Sequence, residues 1–163
     1  MHWFGGTIAE AVTLAKQKNA IFVVFVEGDN DLSKELATTI DDGAVLKHLA
    51  DQTNFLAIKL KSGSENYTYF AQIYQFVPVP SLFFIGRNGT PLEVVCAGVQ
   101  PQNLAERIVR ILEDHCMLLF FIFIIYNEHE VHLMVGDTSA TEHQSMMRCQ
   151  PTFYFEHSEI HRL

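Results

Sequence analysis

Four apolar positions near the start of the chain, Ile8, Ala11, Val12 and Ala15, recur at i, i+3, i+4 and i+7. That spacing predicts a helix with one buried face, opening behind Thr7 as N-cap. The run Ile21–Val26, IFVVFV, is β-branched and aromatic without alternation, as expected of a central strand covered on both faces. Residues 30–50 carry a helical pattern interrupted around Asp41-Asp42-Gly43. Phe55 to Lys61 predicts a second strand with Leu56, Ile58 and Leu60 on one face, and Tyr67, Phe70, Ala71 and Tyr74 return to helical spacing. SLFFIG and PLEVVC then flank Arg87-Asn88-Gly89-Thr90, where Asn-Gly between apolar runs predicts a hairpin with both turn residues at positive φ. A last helix opens with Pro101 in its first turn and buries Leu104, Ile108, Ile111 and Leu112. The order α-β-α-β-α-β-β-α describes an α/β domain: a four-stranded mixed sheet with helices on both faces.

Pro78 and Pro80 stand directly before SLFFIG. Neither has an N–H to give to a ladder, so both belong at the start of a strand or on an edge. A cis X–Pro bond is the other reason to place a proline there.

Composition divides the chain near His115. Residues 1–115 hold nine of the eleven Lys and Arg, whereas residues 116–163 hold no lysine, five of the eight histidines and four of the five methionines. We therefore expect a folded domain over 1–115 and an atypical, hydrophobic and His-rich tail over 116–163. Within the tail, Met117 to Tyr126, MLLFFIFIIY, is apolar throughout. A spanning helix needs about twenty such residues, so no stable membrane span is expected. An added strand, an interfacial segment or an aggregation-prone stretch are the alternatives.

The net charge of −8 argues against a nucleic-acid backbone as partner, since nothing in the sequence forms a basic stripe. Cys96, Cys116 and Cys149 are odd in number and scattered, which argues against a disulfide framework and for a reducing compartment. The opening MHWFGG lacks the basic and apolar regions of a secretory signal, so Asn66-Tyr67-Thr68 and Asn88-Gly89-Thr90 read as chance sequons. His129 and His132 do not form H-E-x-x-H, and with His143 and Cys149 they have no closed zinc spacing. No phosphate loop or nucleophilic constellation is present, and no metal or cofactor is expected.

The element order, with a proline entering the terminal hairpin, resembles the thioredoxin fold. By that resemblance Pro80 is the structural cis-proline, facing the start of the helix after the central strand. The segments WFGGTIAEAVTLAKQKNAIFVVFVEGDN, FLAIKLKS, FAQIYQFVPVPSLFFIGRNGTPLEVV and AGVQPQNLAERI resemble, in the same order, the N-terminal domain of the erasin-type UBX-domain adaptors. The resemblance implies a role in ubiquitin-dependent, endoplasmic-reticulum-associated degradation, at the cytosolic face of that membrane. It also implies that the valosin-containing AAA ATPase is recruited through a C-terminal UBX domain. Residues 116–163 do not resemble the family, and a shortened product that neither recruits the ATPase nor spans the membrane is the expectation.

Thioredoxin chemistry needs two cysteines at the helix start after the central strand, where the dipole lowers a thiol's pKa. Here Glu27 to Glu35, EGDNDLSKE, contains none. Asp29, Asn30 and Asp31 read as capping and first-turn residues. Cys96 reads as a small buried hydrophobe at the end of a strand. A non-catalytic interaction module is therefore expected. A thiol-dependent oxidoreductase or peroxidase using Cys96, and a structural dimerisation domain, are the alternatives.

Overall fold

A computed structural model describes residues 1–75 and 77–130, with the backbone alone for 118, 119 and 122–130. Helix α1 spans Ile8–Lys18, strand β1 Ile21–Glu27, helices α2 and α3 Asp31–Ile40 and Gly43–Leu49, and strand β2 Phe55–Lys61. Helix α4 (Glu65–Ile73), strands β3 (Ser81–Ile85) and β4 (Pro91–Cys96), and helix α5 (Pro101–Glu130) complete the order. Met1–Leu118 forms one packing unit.

The sheet order is β2-β1-β3-β4, with β1 parallel to β2 and antiparallel to β3, and β4 antiparallel to β3. The chain is thus an α/β domain on a mixed sheet. β1 sits inside the sheet, which explains why its apolar run has no polar alternation. Ile21, Val23 and Phe25 pack with Leu36, Ile40, Val45, Leu104 and Ile108 on one face. Phe22, Val24 and Val26 pack with Ala11, Ala15 and Phe70 on the other. A one-residue slip of β1 would exchange those two sets, so both cores hold its register.

Local chemistry sets the helix boundaries. Thr7 and Glu10 form a reciprocal capping box at α1, and Asn19 ends that helix in the left-handed region at φ 53°. The interruption expected near Asp41-Asp42-Gly43 is real: Asp42 caps α3 by accepting from the Ala44 N–H at 2.9 Å. The β3–β4 connection departs from the expected two-residue turn. Only Gly89 has positive φ (81°), while the Gly89 N–H donates to Gly86 O at 2.9 Å. Asn88 instead uses its side chain, whose Oδ1 accepts from the Thr90 N–H at 3.1 Å. The loop is longer than a two-residue hairpin, so a single left-handed glycine suffices.

Past His115 the backbone remains helical as far as Glu130. Residues 117–126 are therefore helix, and the added-strand alternative is set aside. Among the described residues, no helix is long and apolar enough to cross a membrane.

Candidate functional site

The loop from β1 into α2 and the loop into β3 meet at one end of the sheet. Register brings them together: Val26, near the end of β1, lies opposite Ser81, the first residue of β3. The Val79–Pro80 peptide bond is cis. Ser81 is fully buried, and its hydroxyl donates to Pro78 O at 2.6 Å, closing the proline loop on itself. Across from it, a Cβ added to Gly28 would lie 2.8 Å from Val79 Cγ1. Only a glycine lets the two loops approach this closely.

Two N–H groups at the start of α2 are satisfied by side chains of the loop itself. The N-cap Asn30 accepts from the Ser33 N–H at 2.8 Å through Oδ1. The Ser33 hydroxyl oxygen accepts from the Gly28 N–H at 2.8 Å. Ser33 is 4% exposed, so this hydroxyl belongs to the interior of the loop. In this fold a helix start can lower a thiol's pKa by offering it N–H groups and the positive end of the dipole. Here the Ser33 N–H is already spoken for by the Asn30 side chain, and Ser33 itself holds the loop.

The charges around the loop are solvated. Asp29 pairs with Lys61 at 3.2 Å and Asp31 with Lys34 at 2.9 Å, and all four side chains are exposed. Such pairs contribute little to stability. They place carboxylates beside the helix start, where a thiolate would be opposed. Sequence reasoning identified Asn30 and Asp31 as capping and first-turn residues, as observed; Asp29, grouped with them, instead precedes the N-cap and pairs with Lys61, and Ser33 was missed. The Asn-x-x-Ser spacing is compatible with many caps, and nothing local says that the hydroxyl will turn back to Gly28.

Cys96 corrects an expectation: it is exposed, not buried. It is the last residue of an edge strand and points opposite to Val95, the β4 residue buried in the core. Its backbone partner is Ser81, so Cys96 lies level with the proline loop but two strands away from β1. That separation is roughly 10 Å between backbones. Cys116 lies on α5, partly exposed. Among the described residues no group of three or more His, Cys, Asp or Glu is placed to hold a metal. Of the tail residues considered for metal binding, His132, His143 and Cys149 lie outside the described residues, and His129 is described in its backbone alone.

The fold is shared with redox proteins. A thioredoxin from Thermus thermophilus superposes with a TM-score of 0.55 at 13% identity, over 68% of this chain and 86% of that one. The C-terminal domain of Neisseria meningitidis DsbD in its reduced form gives 0.51 at 19% identity, over 63% and 90%. At these identities the likeness establishes a thioredoxin-like fold alone. Sequence similarity points elsewhere. UBX domain-containing protein 4 from Rattus norvegicus is 43% identical over 117 residues, covering 72% of this chain and 23% of the relative. The Homo sapiens protein of the same name is 42% identical with the same coverage. Plant UBX domain-containing protein 11 from Arabidopsis thaliana is 33% identical over 104 residues, 63% of this chain and 19% of the relative. The chain thus spans about a quarter of the length of the curated relatives it matches. The UBX7 N-terminal domain family matches residues 1–113. That match spans more than half of the chain and, with the UBX-named relatives, places this chain in the UBX7 N-terminal domain family.

Proposed function

We propose that residues 1–115 are a redox-inactive thioredoxin-like interaction module of an erasin-type UBX-domain adaptor, acting in ubiquitin-dependent, endoplasmic-reticulum-associated degradation at the cytosolic face of that membrane. The observation that carries the non-catalytic part is the start of α2. Its N-cap and third position are Asn30 and Ser33, joined to each other and to Gly28 by hydrogen bonds at 2.8 Å. No sulfur stands at this helix start, and the hydrogen-bonded Gly28–Asn30–Ser33 loop supports the non-catalytic reading. The adaptor role rests on the family and on relatives named for their UBX domains. In this reading the valosin-containing AAA ATPase is contacted by the UBX domain of the adaptor, and residues 1–115 supply a different contact.

One observation favours the thiol alternative: Cys96 is exposed, level with the proline loop. It stands alone in the sheet, and Glu27 to Glu35 supplies no second sulfur. The module reading requires that residues 1–163, expressed by themselves, compete with UBX adaptors for whatever the module binds. Expressed in excess in cells, it should lengthen the half-life of an endoplasmic-reticulum degradation substrate in a cycloheximide chase. A Cys96→Ser variant should do so equally. An unchanged half-life would contradict the role in degradation.

A further inference from the structure

Resting on the reading of residues 1–115 as an interaction module, we propose that the open edge of β4 binds a short extended peptide segment of a partner protein, with an acidic side chain set against Arg110. β4 ends the sheet. Among the described residues no backbone group beyond β3 bonds to it, whereas the opposite edge is partly taken by the Phe4 N–H donating to Ala57 O at 2.7 Å. An edge of this kind presents a row of N–H and C=O groups to any strand laid beside it.

The edge also has a built neighbour for side chains. Between Phe84 and Ile85 the register jumps from Glu93 to Pro91, which leaves Leu92 as an extra, bulged residue. A bulge re-aims its side chains, and here Leu92 and Glu93 line the same hollow of about 450 Å³. Arg107, Arg110, Ile111 and Asp114 of α5 form its other wall. Leu92 is 41% exposed and Ile111 is buried, so the hollow has an apolar strip for one aliphatic side chain. Of its two cations, Arg107 already meets Glu93 at 3.4 Å. Arg110 is exposed and has no carboxylate at ion-pair distance among the described residues. An acidic residue on the incoming strand would meet Arg110 with a charge-assisted hydrogen bond, strong enough to outweigh the opposing carboxylate of Asp114 in the same wall.

A second copy of the chain is the poorer occupant. Pro91 and the bulge leave only the stretch from Glu93 to Cys96 for regular pairing, too short for a continuous sheet between copies. Each copy also carries a net charge of −8, which opposes self-association. A short segment needs no more than the stretch from Glu93 to Cys96, and its contact with Arg110 has to outweigh the general repulsion of the chain.

The probes are two fluorescein-labelled heptapeptides, alternating valine with glutamate and valine with lysine, titrated by anisotropy against the full 163-residue chain. General electrostatics on a chain of charge −8 favours the lysine peptide, so preference for the glutamate peptide reports the local site. We expect that preference, and a loss of about fivefold or more on Arg110→Glu. N-methylation of alternate peptide amides should abolish binding without touching any protein residue. Amide shifts in NMR should cluster on Leu92 to Cys96. Equal or better binding of the lysine peptide, indifference to Arg110→Glu, or survival of binding after N-methylation on both registers would overturn the proposal. Those results would leave the module reading to stand on the cell assay. Catalytic turnover by the chain would instead strike the module reading itself.

Discussion

Single residues decide how close the two loops of the candidate site come. Gly28 faces Val79 at a separation that no Cβ tolerates, and the branched Val79 has little freedom to move aside. Gly28→Ala is expected to cost about 1–3 kcal/mol, read as a lower urea midpoint at unchanged slope. Ser33→Ala removes the acceptor of the Gly28 N–H and should cost about 1–2 kcal/mol, because the orphaned group is partly buried. A Ser33→Ala protein as stable as wild type would show that the loop does not depend on that bond. Neither dependence is legible in the sequence. Gly28 is one small residue among polar ones, and its constraint comes from a residue fifty-one positions away. Pro80, by contrast, stands out locally, since a proline before an apolar run restricts the chain whatever surrounds it.

At the scale of elements, helix caps were legible, whereas the geometry of the Asn88-Gly89 turn and the lateral contacts were not. Thr7 marks the start of α1 in the sequence; its partner Glu10 emerges only in the structure, where bonds from the Thr7 N–H and hydroxyl to Glu10 Oε2, at 2.8 and 3.0 Å, hold that carboxyl below its ordinary pKa. A carboxyl lowered in the folded state stabilises the fold above its unfolded pKa, and the contribution fades as pH falls through the folded value. Glu10→Gln should therefore narrow the difference in melting temperature between pH 6 and pH 3. An identical pH dependence in the variant would rule the capping box out as a contributor. Tyr74 shows the other side. Its spacing marked it as a helix-face residue, yet it is the C-cap of α4, and its hydroxyl donates to Gly89 O at 2.8 Å. Burial raises its pKa, so its contribution is present below the unfolded value and is lost as pH rises through the folded one. Tyr74→Phe should cost about 1 kcal/mol at pH 7 and little at strongly alkaline pH, as followed by thermal unfolding.

For the whole molecule, the strand and helix order was legible because each core face repeats its own periodicity: alternate residues of β1 serve opposite faces. The exposure of Cys96 was not, because sequence does not say that β4 is an edge strand. The division of labour proposed for the adaptor predicts that the 163-residue chain fails to retain purified valosin-containing ATPase in a pull-down where a UBX-bearing relative succeeds. Comparable retention would place the contact within this chain. The central claim, that the thioredoxin-like site has become a contact surface without thiol chemistry, is tested most directly by steady-state reduction of insulin disulfides under dithiothreitol. The account predicts that wild type and Cys96→Ser both run at the rate of dithiothreitol alone, whereas turnover by the wild type that Cys96→Ser abolishes would contradict it.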